Sequence, residues 1–141
     1  MFDIIYRDVT KNDFNDVCKF VDYWLSGRAI KIGGGNDYFV TRNQHKSYFK
    51  NFKVMIAIDN NKIIGWAVKG KNNVLNHILI AADYRGKGIG KVLMNKINPD
   101  IIRSKSDQLT GNPKEFYEKL GYKSIISKKV GKKNNIELMT K

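Results

Sequence analysis

A glycine-rich turn between two apolar segments constrains this chain more than any other part of its sequence. The turn spans residues 84–91 and reads YRGKGIGK. The residues before it, 74–82, predict a strand, and the residues after it, 89–97, predict a helix with apolar residues four apart. A helix that begins after such a turn presents unpaired backbone N–H groups and the positive end of its dipole. The turn is therefore predicted to bind a phosphate group.

The spacing of the glycines excludes two common nucleotide-binding motifs. A dinucleotide fold needs G-x-G-x-x-G with an acid about twenty residues further on, and a P-loop needs G-x-x-x-x-G-K-[ST]. Residues 85–90 instead match R-x-x-G-x-G, and here the chain resembles the GNAT superfamily of N-acetyltransferases. The alternative is an ordinary glycine-rich surface turn. The resemblance implies that acetyl-CoA is the cofactor and that its pyrophosphate is bound by Arg85, Gly86, Lys87, Gly88, Ile89 and Gly90.

A second segment, residues 112–122, resembles the F-Y-x-x-x-G-[FY] pattern of the same superfamily. Its sequence predicts a short helix, with Asn112 as the N-cap, Pro113 at the first helical position and Gly121 as a left-handed C-cap. The resemblance implies that the Tyr117 phenol protonates the leaving thiolate and that Asn112 contributes to the cofactor site. The alternative for Tyr117 is an ordinary packing role.

The predicted elements follow the order β-α-α-β-β-β-α-β-α-β-β. They are a strand over 2–8, a helix from Thr10 to 25, a helix from 36 to about 51, strands over 54–59 and 63–69 joined as a hairpin, the strand and helix around the turn, a strand over 101–109, the short helix, and strands over 122–130 and 136–140. The resemblance implies an α/β (α+β) fold. Its mixed, mostly antiparallel central sheet is flanked by helices, with a splay between two parallel strands at the CoA site.

Composition favours one cytoplasmic domain over residues 1–141. The chain is 42% hydrophobic and 28% charged, values typical of a globular domain. Its apolar runs are too short to cross a membrane. Cys18 is the one cysteine, so no internal disulfide forms, and it is predicted to be buried in a helix. No Cys, His and acidic residues occur at metal-ligand spacing, so no metal is expected.

The predicted strand before the turn supplies two further candidates. The resemblance implies that the backbone at Ile80 meets the pantetheine arm of the cofactor. Many superfamily members carry an acid on this strand, but residues 74–82 contain neither Asp nor Glu. His77 is then the best candidate for the general base, because its ordinary pKa is near neutrality. A hydrogen-bonded strand histidine is the alternative for His77, and His45 and Asp107 are weaker candidates for the base.

The resemblance implies an N-acetyltransferase that moves the acetyl group of acetyl-CoA to a primary amine by direct attack in a ternary complex. The acceptor could be a small molecule, a protein amine or an aminoacyl-tRNA, and either a monomer or a homodimer is compatible. A nucleic-acid-binding protein or a CoA-sensing regulatory protein of the same fold, without turnover, is the alternative. The formal net charge of +13 favours a nucleic-acid partner, whereas a general enrichment in lysine would leave that charge without a function.

The charge makes a prediction of its own, because residues 71–141 carry 15 basic and 6 acidic side chains. If this surplus binds a polyanion such as tRNA, filter binding should weaken steeply between low and moderate salt as counterions are released. Acetyl-CoA binding should weaken far less. Weak binding that does not distinguish tRNA from random duplex would contradict a tRNA acceptor.

Overall fold

The computed structural model of the chain describes residues 3–26, 40–105, 114–130 and 134–141. Within these ranges, seven strands form one sheet: β1 (Ile5–Asp8), β2 (Lys53–Asp59), β3 (Lys62–Lys69), β4 (Val74–Ile80), β5 (Ile101–Lys105), β6 (Lys123–Val130) and β7 (Asn134–Thr140). Four α-helices accompany them in the described residues: α1 (Phe14–Val21), α2 (Arg42–Asn51), α3 (Ile89–Ile97) and α4 (Lys114–Lys119). Short 3-10 helices span Lys11–Asp13, Lys71–Asn73 and Ala82–Tyr84.

The sheet is mixed and mostly antiparallel, which confirms the predicted fold class. Its strand order is β1-β2-β3-β4-β5-β7-β6, and β4 with β5 is the parallel pair. The register between these two strands contains two residue pairs, Val74 with Ile101 and Leu75 with Ile102. Because β4 continues to Ile80, the two strands are paired only where they begin. This separation matches the predicted splay.

Apolar residues on the two faces of the sheet form two core clusters. The first cluster joins α1 to the sheet and includes Val17, Val21, Ile56, Trp66 and Leu79. The second cluster joins α3 and α4 to the opposite face and includes Met55, Leu93, Met94, Tyr117 and Ile102. Met55 and Ile56 are neighbours on β2 and enter different clusters, because successive side chains of a strand point to opposite faces. Cys18 is buried at 2% exposure, as predicted.

The hairpin between β2 and β3 has the predicted position. Asn60 and Asn61 occupy its two turn positions with φ of 54° and 65°. Positive φ at both central residues defines the turn that matches the twist of two antiparallel strands, and asparagine tolerates this conformation. The turn therefore holds Asp59 and Lys62 opposite each other at the end of the hairpin.

The second helix, predicted from residue 36, begins in the described residues at Arg42, and residues 36–39 lie outside the described part of the chain. Val40 and Thr41 are not helical, and α2 starts at Arg42. The Thr41 side chain accepts a hydrogen bond from the backbone N–H of Gln44 at 3.1 Å, and the Gln44 side chain accepts one from the Thr41 N–H at 2.8 Å. This capping box satisfies two N–H groups that the first turn would leave unpaired, so it fixes the helix start.

The first helical segment is less regular than predicted. It opens with the 3-10 turn after Thr10, continues as α1, and ends in a π-helical stretch over Asp22–Ser26. Phe20 of α1 is buried at 7% exposure. The strand predicted from residue 2 begins at Ile5, and residues 106–109 of the predicted fifth strand lie outside the described residues.

Three hydrogen bonds lie at the closed end of the splay. The Asp100 N–H donates to the Asn73 carbonyl at 2.8 Å, and the Asn73 amide donates to the Asp100 carboxylate at 3.0 Å. The Tyr122 hydroxyl donates to the Pro99 carbonyl from the side of α4 and β6. The two bonds between Asn73 and Asp100 hold the residue just before β4 against the residue just before β5, at the end where these strands are paired.

An ion pair at the start of α1 yields a stability prediction. The Asp13 carboxylate accepts two hydrogen bonds from Arg7, at 2.8 and 3.0 Å, and one from the Thr10 N–H at 2.7 Å. The Arg7 bonds, followed by that of Thr10, lower the pKa of Asp13 from 3.8 to about 2. Because the pKa of Asp13 is lower in the folded state, the ionised carboxylate stabilises the fold at pH values above its ordinary pKa of 3.8. This contribution is lost as the pH falls through about 2.

We therefore expect Asp13→Asn to lower the free energy of unfolding at pH 7 by about 1 kcal/mol, the upper end of the usual range for a solvent-accessible ion pair. The difference from the parent should shrink as the pH falls below 4 and be mostly lost by pH 2, as measured by urea unfolding across this range. Asp16→Asn, at an exposed acid in the first turn of α1, is the matched control. A deficit in Asp13→Asn that does not change with pH would contradict the ion-pair explanation.

Candidate functional site

The turn between β4 and α3 has the backbone that its glycines predict. Gly86 and Gly88 have φ of +76° and +82°, a conformation that residues with a Cβ rarely adopt. A Cβ built at either position would have no atom within 4 Å outside its chain neighbours. The glycines are thus required by backbone conformation rather than by crowding within the protein. The space beside them is open to a ligand.

The N-terminus of α3 lies directly behind this turn. Gly88 is the N-cap, and no side chain of the described residues caps the helix. The first helical hydrogen bond runs from the Val92 N–H to the Gly88 carbonyl at 3.1 Å, so the N–H groups of the preceding turn have no helical acceptor. Exposed Lys87 and Lys91 add positive charge here. The arrangement is suited to an anion.

Arg85 connects the turn to the end of β4. Its Nε donates a hydrogen bond to the Ile80 carbonyl at 3.2 Å, while the side chain stays exposed. The structure therefore brings together two residues that the sequence assigned to the pyrophosphate and to the pantetheine arm.

Ile80 also marks the place where β4, α3 and α4 meet. A Cβ at Gly90 would lie 3.7 Å from the Ile80 side chain and 3.3 Å from the Phe116 ring. Ile80 itself packs against both core clusters. The absence of a side chain at Gly90 thus lets the first turn of α3 approach Phe116 and β4 closely. The glycine turn, the open end of the splay and α4 therefore lie next to one another.

Tyr117 lies on the α3 side of the sheet. It is 6% exposed and belongs to the cluster that contains Leu93, Met94 and Ile102. Burial raises the pKa of Tyr117 to about 12, so its phenol is protonated at neutral pH. The helix α4 ends as predicted, with Gly121 at φ +96° and the Tyr122 N–H donating to the Tyr117 carbonyl at 3.1 Å.

His77 lies on the opposite face of the sheet from Tyr117. Its Nε2 is 3.0 Å from the Tyr48 hydroxyl, and its ring stacks on Trp66 with centroids 5.1 Å apart. Burial, with a smaller contribution from the charge of His45, lowers the pKa of His77 to about 4. The ring is therefore neutral at pH 7. These contacts favour the hydrogen-bonded strand histidine over the general base.

Beside His77 lies a polar group that sequence analysis did not place there. His45 is 1% exposed, and among the described residues neither its ring nitrogens nor the buried Trp66 Nε1 has a hydrogen-bond partner. His45 and Trp66 have ring centroids 5.7 Å apart. Burial lowers the pKa of His45. No local pattern in the sequence indicates this cluster, because its members come from α2, β3 and β4.

Three residues named in the sequence analysis have no structural description. Asn112, Pro113 and Asp107 lie outside the described residues. Within the described ranges, no three His, Cys, Asp or Glu side chains could hold a metal ion together. None of the helices in these ranges has the length and apolar character needed to span a bilayer.

Comparison with known families identifies the class to which this fold and site belong. The family described as "Acetyltransferase (GNAT) domain" matches residues 50–124, from the end of α2 to the start of β6. The match covers more than half of the chain, and it includes the glycine turn and Tyr117. The protein belongs to the GNAT acetyltransferases, enzymes that use acetyl-CoA as acyl donor. No curated protein matches the sequence.

Solved structures share this fold at low sequence identity. The ribosomal-protein-S18-alanine N-acetyltransferase from Escherichia coli has a TM-score of 0.70 and 12% identity, over 96% of this chain and 91% of that chain. An aminoglycoside 6'-N-acetyltransferase complexed with coenzyme A has a TM-score of 0.73 and 15% identity, over 97% and 96%. The ribosomal-protein-alanine N-acetyltransferase from Brucella melitensis has a TM-score of 0.68 and 16% identity, over 97% and 98%. At these identities the likeness shows the fold alone.

The assignment of the glycine turn to acetyl-CoA predicts a specific loss of binding. Gly88→Val places a β-branched side chain at positive φ and in the space beside the helix N-terminus. We expect the variant to fold with a stability loss of about 1–2 kcal/mol and to lose measurable acetyl-CoA binding in calorimetry. Gly121→Val is the control, because it carries similar backbone strain in open space outside the turn. Parent-like affinity in Gly88→Val would contradict the assignment.

Proposed function

We propose that the protein is an N-acetyltransferase that moves the acetyl group of acetyl-CoA to a primary amine by direct attack in a ternary complex. The observation that carries the proposal is the meeting of three features at one place. These are the open glycine turn at the α3 N-terminus, the end of β4 where it has separated from β5, and helix α4 with Tyr117.

The residues present fit acetyl-CoA. The uncapped N–H groups at the start of α3 and the cations Arg85, Lys87 and Lys91 suit a pyrophosphate. From Asn76 to Ile80, β4 has no pairing with β5, so this strand edge can offer backbone groups to the amides of a pantetheine arm. The bound cofactor supplies an activated acetyl thioester. We assign Asn112 to the same site on the resemblance of its segment alone.

Tyr117 is proposed to assist departure of the thiolate by donating a hydrogen bond to the sulfur. Its raised pKa of about 12 keeps the phenol protonated, which suits a donor and excludes a base at neutral pH. An ordinary thiol has a pKa of about 8.5, so full transfer from this phenol would be uphill by about 5 kcal/mol. Stabilisation of the developing charge by a hydrogen bond is therefore a better description of its role than complete protonation.

The neutral, weakly basic state of His77 bears on the class of acceptor. An imidazole with a pKa of about 4 has little driving force to take a proton from an ammonium group. At pH 7 roughly a tenth of an α-amine is neutral, against about one in 2,500 of a lysine side chain. We propose that the acceptor is an amine of low pKa, such as an α-amine, that needs little help from a base. His77 then contributes by holding Tyr48 and Trp66 beneath β4.

The proposed function is tested by thiol release from acetyl-CoA with peptides that offer either an α-amine or a lysine side chain. Release that depends on the acceptor and favours the α-amine at pH 7 would support the proposal. Acetyl-CoA binding without turnover on either class would favour the CoA-sensing alternative. Turnover that favours the lysine side chain at pH 7 would contradict the inferred acceptor class.

Tyr117→Phe tests the role of the phenol in the same assay. We expect kcat to fall about 100-fold, the usual contribution of a positioned acid. Acetyl-CoA affinity should change little, because the ring still packs in its cluster. Tyr122→Phe removes a hydroxyl from the same cluster, where it bonds to the Pro99 carbonyl, and should lower stability without lowering kcat to this extent. Full turnover in Tyr117→Phe would reduce Tyr117 to a packing residue.

A further inference from the structure

A short hydrogen bond ties the glycine turn to the hairpin between β2 and β3. The Tyr84 hydroxyl donates to the Asp59 carboxylate at 2.6 Å. This length lies within the range of hydrogen bonds from a hydroxyl to an ionised oxygen, which are about twice as strong as neutral ones. The two residues are 25 positions apart in sequence. The bond therefore couples the turn to a separate part of the sheet.

Asp59 is a rigid acceptor. It is the last residue of β2 and pairs with Lys62 across the turn formed by Asn60 and Asn61. Both asparagines hold the positive φ that this tight turn requires, so the hairpin end has little freedom. A carboxylate at this position is fixed by the sheet rather than by the glycine turn itself.

Tyr84 is the last residue before the proposed cofactor-binding residues. It closes the 3-10 helix Ala82–Tyr84, and its ring packs against the first core cluster. At the other end of this short helix, the Ala81 N–H donates to the Ile64 carbonyl of β3 at 2.9 Å. The β2–β3 hairpin thus holds the chain on both sides of the 3-10 helix. Arg85, the first of the proposed cofactor-binding residues, directly follows Tyr84.

We propose that Tyr84 and Asp59 are a positioning pair that presets the glycine turn and thereby sets the affinity for acetyl-CoA. The proposal rests on the proposed function. One end of the turn is held by α3, whose Ile89 is buried in the core, and the other end is held by the Tyr84–Asp59 bond. Without that bond, ordering the turn around the pyrophosphate would cost conformational entropy at the moment of binding.

The sign of the effect separates positioning from simple electrostatics. Asp59 carries a negative charge and is hydrogen-bonded to Tyr84, the residue that precedes the proposed anion site. Removing that charge alone should strengthen the binding of an anion, because like charges repel. Positioning predicts the reverse, since a turn without its anchor binds more weakly. Asp59→Ala removes both the charge and the acceptor, whereas Asp59→Asn removes the charge but retains an acceptor oxygen.

Isothermal calorimetry with coenzyme A on the full chain tests the pair. We expect Kd to rise roughly 3- to 10-fold in Tyr84→Phe and in Asp59→Ala, with a smaller rise in Asp59→Asn. The double variant Tyr84→Phe with Asp59→Ala should have a Kd no higher than that of the single variant with the higher Kd, because both changes break the same hydrogen bond. Tyr6→Phe and Asp16→Asn make the same chemical changes on β1 and α1 and should leave Kd unchanged.

Kinetics separate positioning from a loss of folding. KM for acetyl-CoA should rise with Kd while kcat stays close to that of the parent, and thermal unfolding should show that each variant is folded at the assay temperature. Parent-like Kd in Tyr84→Phe, tighter binding in Asp59→Ala, or effects that add in the double variant would each overturn the proposal. A parent that does not bind coenzyme A would refute the proposed function, and this inference with it.

Discussion

The pairing of β4 with β5 over only two residues is the constraint on which the rest of the candidate site depends. The strands are fixed together at one end by the bonds between Asn73 and Asp100, and beyond Leu75 no β5 residue is paired with β4. A strand that leaves its neighbour in this way has backbone groups available for a ligand, since each N–H and C=O seeks a partner. The short 3-10 helix Ala82–Tyr84 connects this edge to the glycine turn, so the unpaired strand edge and the N-terminus of α3 are close together in the chain.

The two faces of the sheet divide the titratable candidates. Tyr117 lies in the cluster of α3 and α4, whereas His77 lies with Tyr48 and Trp66 beneath α2. Burial disfavours the charged form of each group, so it shifts the pKa values of the phenol and the imidazole in opposite directions. It raises the pKa of the phenol to about 12 and lowers that of the imidazole to about 4. Both side chains are therefore neutral at pH 7, which supports a hydrogen-bond donor at Tyr117 more than a strong base at His77.

Predictions from local sequence were correct where one or two residues determine the backbone conformation. The glycine turn, the left-handed end of α4 at Gly121 and the hairpin at Asn60 and Asn61 all occur where they were predicted. The start of α2 was placed too early, although the Thr41 and Gln44 capping box is itself a local signal that could have corrected it. The π-helical end of the first helical segment has no comparable signature in its residues.

By itself, the sequence determined the order of elements, the conformation of the turns and the family to which the protein belongs. Each of these depends on residues a few positions apart, or on a motif whose spacing is visible in the chain. The tertiary structure alone decided that His77 meets Tyr48, that Tyr84 meets Asp59 and that the expected splay between β4 and β5 begins after Leu75. These contacts join residues about 25 or more positions apart. Their distances and pKa values follow from packing and burial, which no local pattern specifies.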